Sequence, residues 1–388
     1  MAVNERRLVE EFIELARTNG PSGREAQVAA LVRKKLEKLG AQVKDDGTGE
    51  AAGSDTGNLI ARFAPGGGSA GTASGSRQDA PAVFFCCHLD TVEPTEGLNA
   101  VQQGGRVSSD GRTILGADDR GGIAVLFEAL RVVAESGLPR GEVEAVFTVG
   151  EETGLHGAKV LDQSLLRAKF GYVLDSGGRV GTAVVKAPTE LDFKVVVHGR
   201  KAHAGVEPEK GINAIHLAAR ALATLPNGRV DPETTANVGI IRGGSSTNVV
   251  PERAELLGEV RSLDEPKAWA AAEAVRRAFE GAARQAGAHA EVEVVRAYGG
   301  FDLSPDAEVV RVFRSAAQAA GLVVELVPRG GGSDANIFNQ RGLAVLNLGI
   351  GAQHEHTHQE NIATSDLCKA AELVAEIILT VGRGGAPG

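Results

Sequence analysis

Four short apolar runs in this 388-residue chain end in the same way, in a cluster of His, Asp or Glu. Ala82–Cys87 runs into His88-Leu89-Asp90, and Val143–Val149 into Gly150-Glu151-Glu152. Tyr172–Leu174 runs into Asp175-Ser176-Gly177-Gly178, and Leu343–Leu348 into a Gly-rich loop with His354, His356 and His358. Short apolar runs bounded by turn residues read as strands buried on both faces. Helical segments separate them, so the expected fold is α/β: a mixed, largely parallel sheet covered by helices. In such sheets ligands sit at the carboxyl ends of the strands. All four runs place their polar cluster there.

The flanking pattern fills in the organisation. Leu8, Phe12, Leu15 and Ala16 recur at helical spacing among charged residues, and a second helix runs from about Arg24 to Leu39. Gly66–Ser76 is nearly all Gly, Ser, Ala and Thr and reads as a flexible surface loop. Between Lys186 and Arg296 the pattern changes. Strand-like Asp192–His198, a helix Gly211–Leu225, strands Val238–Arg242 and Glu255–Arg261, a helix Pro266–Ala286 and alternating Ala290–Val295 follow in turn. That βαββαβ order resembles a ferredoxin-like α+β insert. The expected domains are therefore residues 1–185 and 297–388, forming one catalytic domain, with 186–296 inserted as a lid and dimerisation domain.

Charge and composition exclude several partners. A formal net charge of -9 with 4% aromatic residues lacks the basic footprint of nucleic-acid binding. No apolar run approaches the ~20 residues of a membrane span. Met1–Leu15, rich in Glu and Arg, has no signal-peptide core, which points to the cytoplasm. The chain has 3 cysteines, too few for a disulfide framework, and Cys86 and Cys87 read as reduced core thiols.

The clusters at the strand ends carry metal chemistry. Paired metal sites use imidazole and carboxylate ligands and share a bridging carboxylate or water. The candidates are His88, Asp90, Asp118, Asp119, Glu151, Glu152, Asp175 and one of the late histidines. On an extended backbone His88 and Asp90 point the same way, so Asp90 is placed to orient a ligating imidazole. Asp118-Asp119 precedes the helix Gly122–Ser136, whose N-terminal end favours anions. Adjacent Glu151 and Glu152 project differently, so one can bind metal while the other faces substrate. Taken singly, each motif is ordinary: a helix cap, a solvated acid pair, a polar loop. Their shared place at the strand ends sets them apart.

His88-Leu89-Asp90-Thr91-Val92, Gly116-Ala117-Asp118-Asp119-Arg120-Gly121-Gly122, Thr148-Val149-Gly150-Glu151-Glu152-Thr153-Gly154 and the late His-Thr loop resemble the co-catalytic zinc metallopeptidase family. That family includes peptidase T, carboxypeptidase G and acetylornithine deacetylase, and the resemblance is strongest to peptidase T-like proteins. It implies two Zn²⁺ ions, with Co²⁺ or Mn²⁺ as alternatives. His88 and Asp175 would hold the first metal, Glu152 and His356 the second, and Asp118 both. Glu151 would be the general base, and Asp90 would hold His88. His356 is chosen because His356-Thr357-His358-Gln359-Glu360 best matches the family's His-Thr-x-x-Glu. Family members often have Lys-Ala where this chain has Arg120-Gly121. In the insert, Lys201-Ala202-His203-Ala204-Gly205 resembles the motif whose histidine stabilises the oxyanion in the partner subunit, which implies a homodimer through the inserted domain. Asn248, Arg261, Gly332 and Ser333 resemble substrate-binding positions.

The implied activity is hydrolysis of amide bonds in short peptides, as a tripeptide aminopeptidase. Asp175 separates it from the main alternative, a carboxypeptidase or N-acyl amino acid deacylase, where Glu is common at this position. A non-catalytic metal-binding scaffold is the alternative of another class, and a binder has no need of Glu151.

Overall fold

The computed structural model describes residues 2–67 and 81–384, so most of the Gly/Ser-rich segment expected as a loop lies outside the described residues. Val83–His88 is buried along its whole length. Alternation sends its side chains to opposite faces of the sheet. Phe84 meets the ring of Phe338 at 5.1 Å, and Phe85 meets Tyr172 at 5.7 Å. Helices cover both faces, which is why the strand reads as a continuous apolar run.

The sheet is mixed. Val83–His88 pairs in parallel with Val143–Thr148 on one side and Phe170–Ser176 on the other, and Phe170–Ser176 pairs in parallel with Ala344–Gly349. Leu59–Phe63, Gln42–Asp45 and Thr182–Ala187 extend this core as antiparallel strands. Four parallel strands therefore end on one side, and the loops that leave them converge. Helices Ala117–Ser136, Glu308–Ala319, Thr364–Gly382 and Glu5–Arg17 pack together. Tyr172 locks the sheet to one of them by donating its hydroxyl to the Val309 carbonyl at 2.9 Å.

The chain forms two compact units. The first comprises Met1–Val185, Leu303–Val327 and Ser333–Gly388, and the second Lys186–Asp302 with Pro328–Gly332. The second unit therefore runs past Arg296, where the sequence pattern had ended it. The last strand, His289–Tyr298, continues beyond that residue, and Phe301–Asp302 pairs with Ala187 and Lys186.

In the second unit a five-stranded sheet has the order Gly228–Asp231, Thr234–Gly243, Arg253–Ser262, Thr189–His198, His289–Tyr298, with antiparallel neighbours throughout. Leu191, Phe193, Val195 and Val197 point inward and pack with Phe279. The sequence pattern called for four strands here. The extra one, Gly228–Asp231, has only Val230 as an apolar residue, so alternation gives no signal for it. No helix among the described residues is long and apolar enough to cross a membrane.

Candidate metal centre

Each strand end delivers one part of a single polar cluster in the first unit. His88 is the last residue of its strand and lies 1% exposed. Its Nε2 stands 2.9 Å from Asp118 Oδ1 and 3.7 Å from Asp175 Oδ1. Asp118 turns its other oxygen, Oδ2, to within 3.1 Å of His356 Nε2. His356 Nε2 also lies 3.1 Å from Glu152 Oε2. The side chains thus form two groups of three, His88/Asp118/Asp175 and Asp118/Glu152/His356, whose ligand atoms within each group lie within 4.8 Å of one another. Asp118 belongs to both, with one oxygen toward each imidazole.

The turn that presents Asp118 is held from several sides. Glu360, 1% exposed, accepts the Gly116 N–H at 2.7 Å and the Asp118 N–H at 3.1 Å. Burial pushes Glu360 up to about 7. Asp119 points into the protein, where its Oδ2 accepts the His88 main-chain N–H at 3.1 Å. A Cβ on Gly122 would fall 2.1 Å from Asp119 Oδ1 and 2.5 Å from the Leu174 carbonyl, so this close approach requires glycine.

Asp90 meets the His88 ring and also does a second task. His88 Nδ1 lies 2.9 Å from the Asp90 main-chain carbonyl and 3.4 Å from its carboxylate, so the closer hold on the ring is the backbone. The Asp90 carboxylate also accepts the N–H groups of Glu151 at 3.0 Å and Glu152 at 3.1 Å, and the Ser22 hydroxyl at 2.6 Å. It fixes the loop that carries the two glutamates.

Burying several carboxylates together is costly, of the order of several kcal/mol for each uncompensated ion. The strain shows in the acidities. Glu151 is pushed well above the usual carboxylate range by burial and then by Asp175, and Asp175 is pushed up by burial and by Asp118. Burial acts the same way on Asp118, but its hydrogen bonds to His356 and His88 outweigh it and bring Asp118 below its usual value. Hydrogen bonds to Asp118 and Glu152 lift His356 to about 11. Burial lowers His88, yet Asp118, Asp175 and Asp90 together raise it well above its usual value.

This donor set fits a pair of divalent cations. Two imidazoles and three carboxylates are the ligand types of zinc and its neighbours. Glu152 Oε1, buried, has no hydrogen-bond partner among the described residues, as expected of an oxygen shaped for a cation.

Of the remaining expected residues, His203, Asn248, Arg261 and Gly332 belong to the second unit and Ser333 to the first. His203 is exposed, and its Nδ1 accepts the Gly205 N–H at 3.1 Å, which leaves the hydrogen on Nε2. The His203 segment is laced to the Asn248 segment, with Ala204 N–H on the Asn248 carbonyl at 3.0 Å and Val250 N–H on the Ala202 carbonyl at 3.0 Å. Arg261 resembles a substrate-binding position. Its two-bond edge is already on Glu259, at 3.0 Å twice, with Glu190 at 3.1 Å and the Tyr298 hydroxyl at 3.2 Å. Gly332 lies against the ring of Tyr298, and Ser333 caps the helix Asp334–Gln340 in a capping box with Asn336. Both positions have structural tasks of their own.

The sequence reading missed Ser22, Glu25 and Glu360, and it gave Asp119 no separate part. Glu360 carried a signal, since it closes the same motif as His356. Ser22 and Glu25 stand in a Pro-Ser-Gly-Arg-Glu turn far from every ligand in sequence, and the pattern alone does not show what they touch.

Comparison with known proteins places this geometry. A model of the peptidase dimerisation domain of the M20 group matches residues 190–287, and a model of peptidase family M28 matches residues 70–207. The uncharacterized protein YqjE of Bacillus subtilis is 43% identical over 376 residues, covering 97% of this chain and 98% of the relative. The crystal structure of aminopeptidase PepT from Bacillus cereus is 42% identical with a TM-score of 0.87, covering 98% of this chain and 99% of that one. A tripeptidase from Staphylococcus aureus is 36% identical with a TM-score of 0.91, again over 98% of this chain and 99% of that one.

Proposed function

The chain belongs to the M20 family of peptidases, and from that premise we propose that it is a zinc-dependent, dinuclear aminopeptidase acting on short peptides, tripeptides among them. The observation that carries the reading is the pair of three-residue groups sharing Asp118, with Glu151 adjacent in the chain to Glu152. His88 and Asp175 would hold one Zn²⁺, Glu152 and His356 the other, and Asp118 both. When bound, such a pair supplies Lewis-acid polarisation of the scissile carbonyl and makes a water molecule more acidic.

The chain's own residues do the rest. Glu151, next to Glu152 in the chain and assigned to neither cation, accepts the proton of the attacking water. It then delivers that proton to the leaving amine nitrogen. Asp90 keeps Glu151 and Glu152 in register through their N–H groups. His203, its Nε2 bearing the hydrogen, would donate to the oxyanion in the site of a second copy of the chain, with Asn248 beside it. The match of residues 190–287 to a peptidase dimerisation domain supports that pairing. Arg261 is not among the proposed substrate contacts, because Glu259 already takes its fork. Buried free Cys86 and Cys87 are in keeping with the reducing cytoplasm.

Turnover of matched tripeptides, free and N-acetylated, tests the reading alongside metal content. The free peptides are expected to be cleaved and the blocked ones spared, with two metal equivalents per chain. Preference for N-acylated amino acids, or for peptides blocked at the amino end, would replace it with the deacylase or carboxypeptidase reading.

A further inference from the structure

Beneath the cluster, three successive peptide N–H groups are each taken by a buried carboxylate. Glu25 Oε1 accepts the Gly150 N–H at 3.0 Å, and the two oxygens of Asp90 accept those of Glu151 at 3.0 Å and Glu152 at 3.1 Å. Asp90 adjoins His88 and shares the work of the centre. Glu25 does not: it precedes the helix Ala26–Lys38 without capping it through its side chain, and no step of the reaction calls on it.

Its surroundings are nevertheless built with care. Glu25 is 0% exposed, and its Oε2 accepts the Ser54 hydroxyl at 2.6 Å. The two turns involved are laced together, with Asp55 N–H on the Gly23 carbonyl at 3.3 Å and Ala26 N–H on Asp55 Oδ1 at 2.8 Å. Buried Arg120 acts electrostatically on Glu25, but among the described residues the two form no ion pair. A buried carboxylate outside an ion pair costs stability, and a neutral group would satisfy a peptide N–H at lower cost. Besides the Gly23 N–H in its own turn, Glu25 holds one from a distant loop, that of Gly150. Gly150 has φ +59°, a left-handed joint with no side chain to limit it, placed directly before Glu151.

We propose that Glu25 is a positioning residue for Glu151: by gripping the Gly150 N–H it fixes the joint from which the base is presented to the reacting water. This rests on the reading of Glu151 as the general base.

The test compares Glu25→Ala, Glu25→Gln and Ser54→Ala with the parent protein, by tripeptide kinetics, metal content and amide hydrogen exchange across residues 148–153. Glu151→Gln is the control. In Glu25→Ala, kcat should fall by roughly 10- to 100-fold, as a slightly misplaced catalytic group requires, with KM within about twofold and both metals retained. Exchange should quicken at residues 148–153 and in the turns of Gly23 and Ser54 that Glu25 also touches, and not across the rest of the first unit. Glu25→Gln should recover most of the activity, since its amide oxygen still accepts from Gly150 and its amide nitrogen donates to Ser54. Should Glu25→Ala fail to fold, Ser54→Ala carries the test, with a smaller loss of kcat and the same local quickening. Parent-like kcat and exchange in Glu25→Ala, or in Ser54→Ala where it stands in, would overturn the proposal. So would quickened exchange spread over the whole unit, the mark of a merely structural role. If Glu151→Gln keeps parent turnover, it is the base assignment that fails, and the exchange pattern still reports separately on the grip of Glu25.

Discussion

Asp118 is the residue on which the centre turns, because each of its oxygens faces a different imidazole, at 2.9 Å and 3.1 Å. Asp118→Ala should therefore lower metal content at both sites, whereas His356→Ala should lose one equivalent and His358→Ala none. Elemental analysis of the three variants checks this; two full equivalents in Asp118→Ala would move the bridge elsewhere. The same contacts set a pH dependence. With His356 raised to about 11, its ring carries a proton throughout the neutral range, and a cation must displace it. Metal affinity should then rise with pH, by about tenfold per unit for each proton displaced, in chelator competition between pH 6 and 8. A flat profile would mean that the imidazole is not a ligand. Side chains of this kind were legible in the sequence because ligand chemistry restricts residue type. Glu25 was not, because it acts through a backbone N–H group, which any sequence supplies, and Ser22 was not, because its hydroxyl reaches a carboxylate far away in the chain.

The elements explain why ligands scattered from residue 88 to residue 356 meet. Parallel strands must end on one side, so apolar runs followed by acids and histidines already implied a common site. Register and helix starts were less visible. Ala117–Ser136 opens with Asp118 and Asp119 outside helical geometry, a local form that propensity does not predict. It depends on Gly122, where a Cβ would fall 2.1 Å from Asp119 Oδ1. Gly122→Ala should cost stability, by about 1–3 kcal/mol as overpacking does, and weaken metal binding as the Asp118 turn shifts. Thermal unfolding with and without added Zn²⁺ measures both effects, and unchanged values in both would refute the close-packed turn. The short strand Gly228–Asp231 was missed for a related reason: it is held by its hairpin with Thr234–Gly243 rather than by an apolar face of its own.

At the scale of the molecule, the two-unit division was visible as a change of pattern, though its end was set too early at Arg296. In the proposed mechanism His203, in the second unit, is the part that calls for two copies of the chain. His203→Ala and Glu151→Gln should each be nearly inactive alone, since loss of an oxyanion donor costs roughly 10²–10³ in kcat. Mixed with subunit exchange, they should regain up to about a quarter of parent activity, because half the dimers are mixed and each has one complete site. Mixtures that exchange chains yet stay inactive would refute sharing. The central claim is narrower, that the chain hydrolyses peptides with a carboxylate base beside a dinuclear centre. It is tested most directly by kcat and metal content measured on one preparation of Glu151→Gln. The expected result is two metal equivalents with kcat lowered by at least ~100-fold, the scale of a lost general base. Near-parent turnover with both metals bound would contradict it.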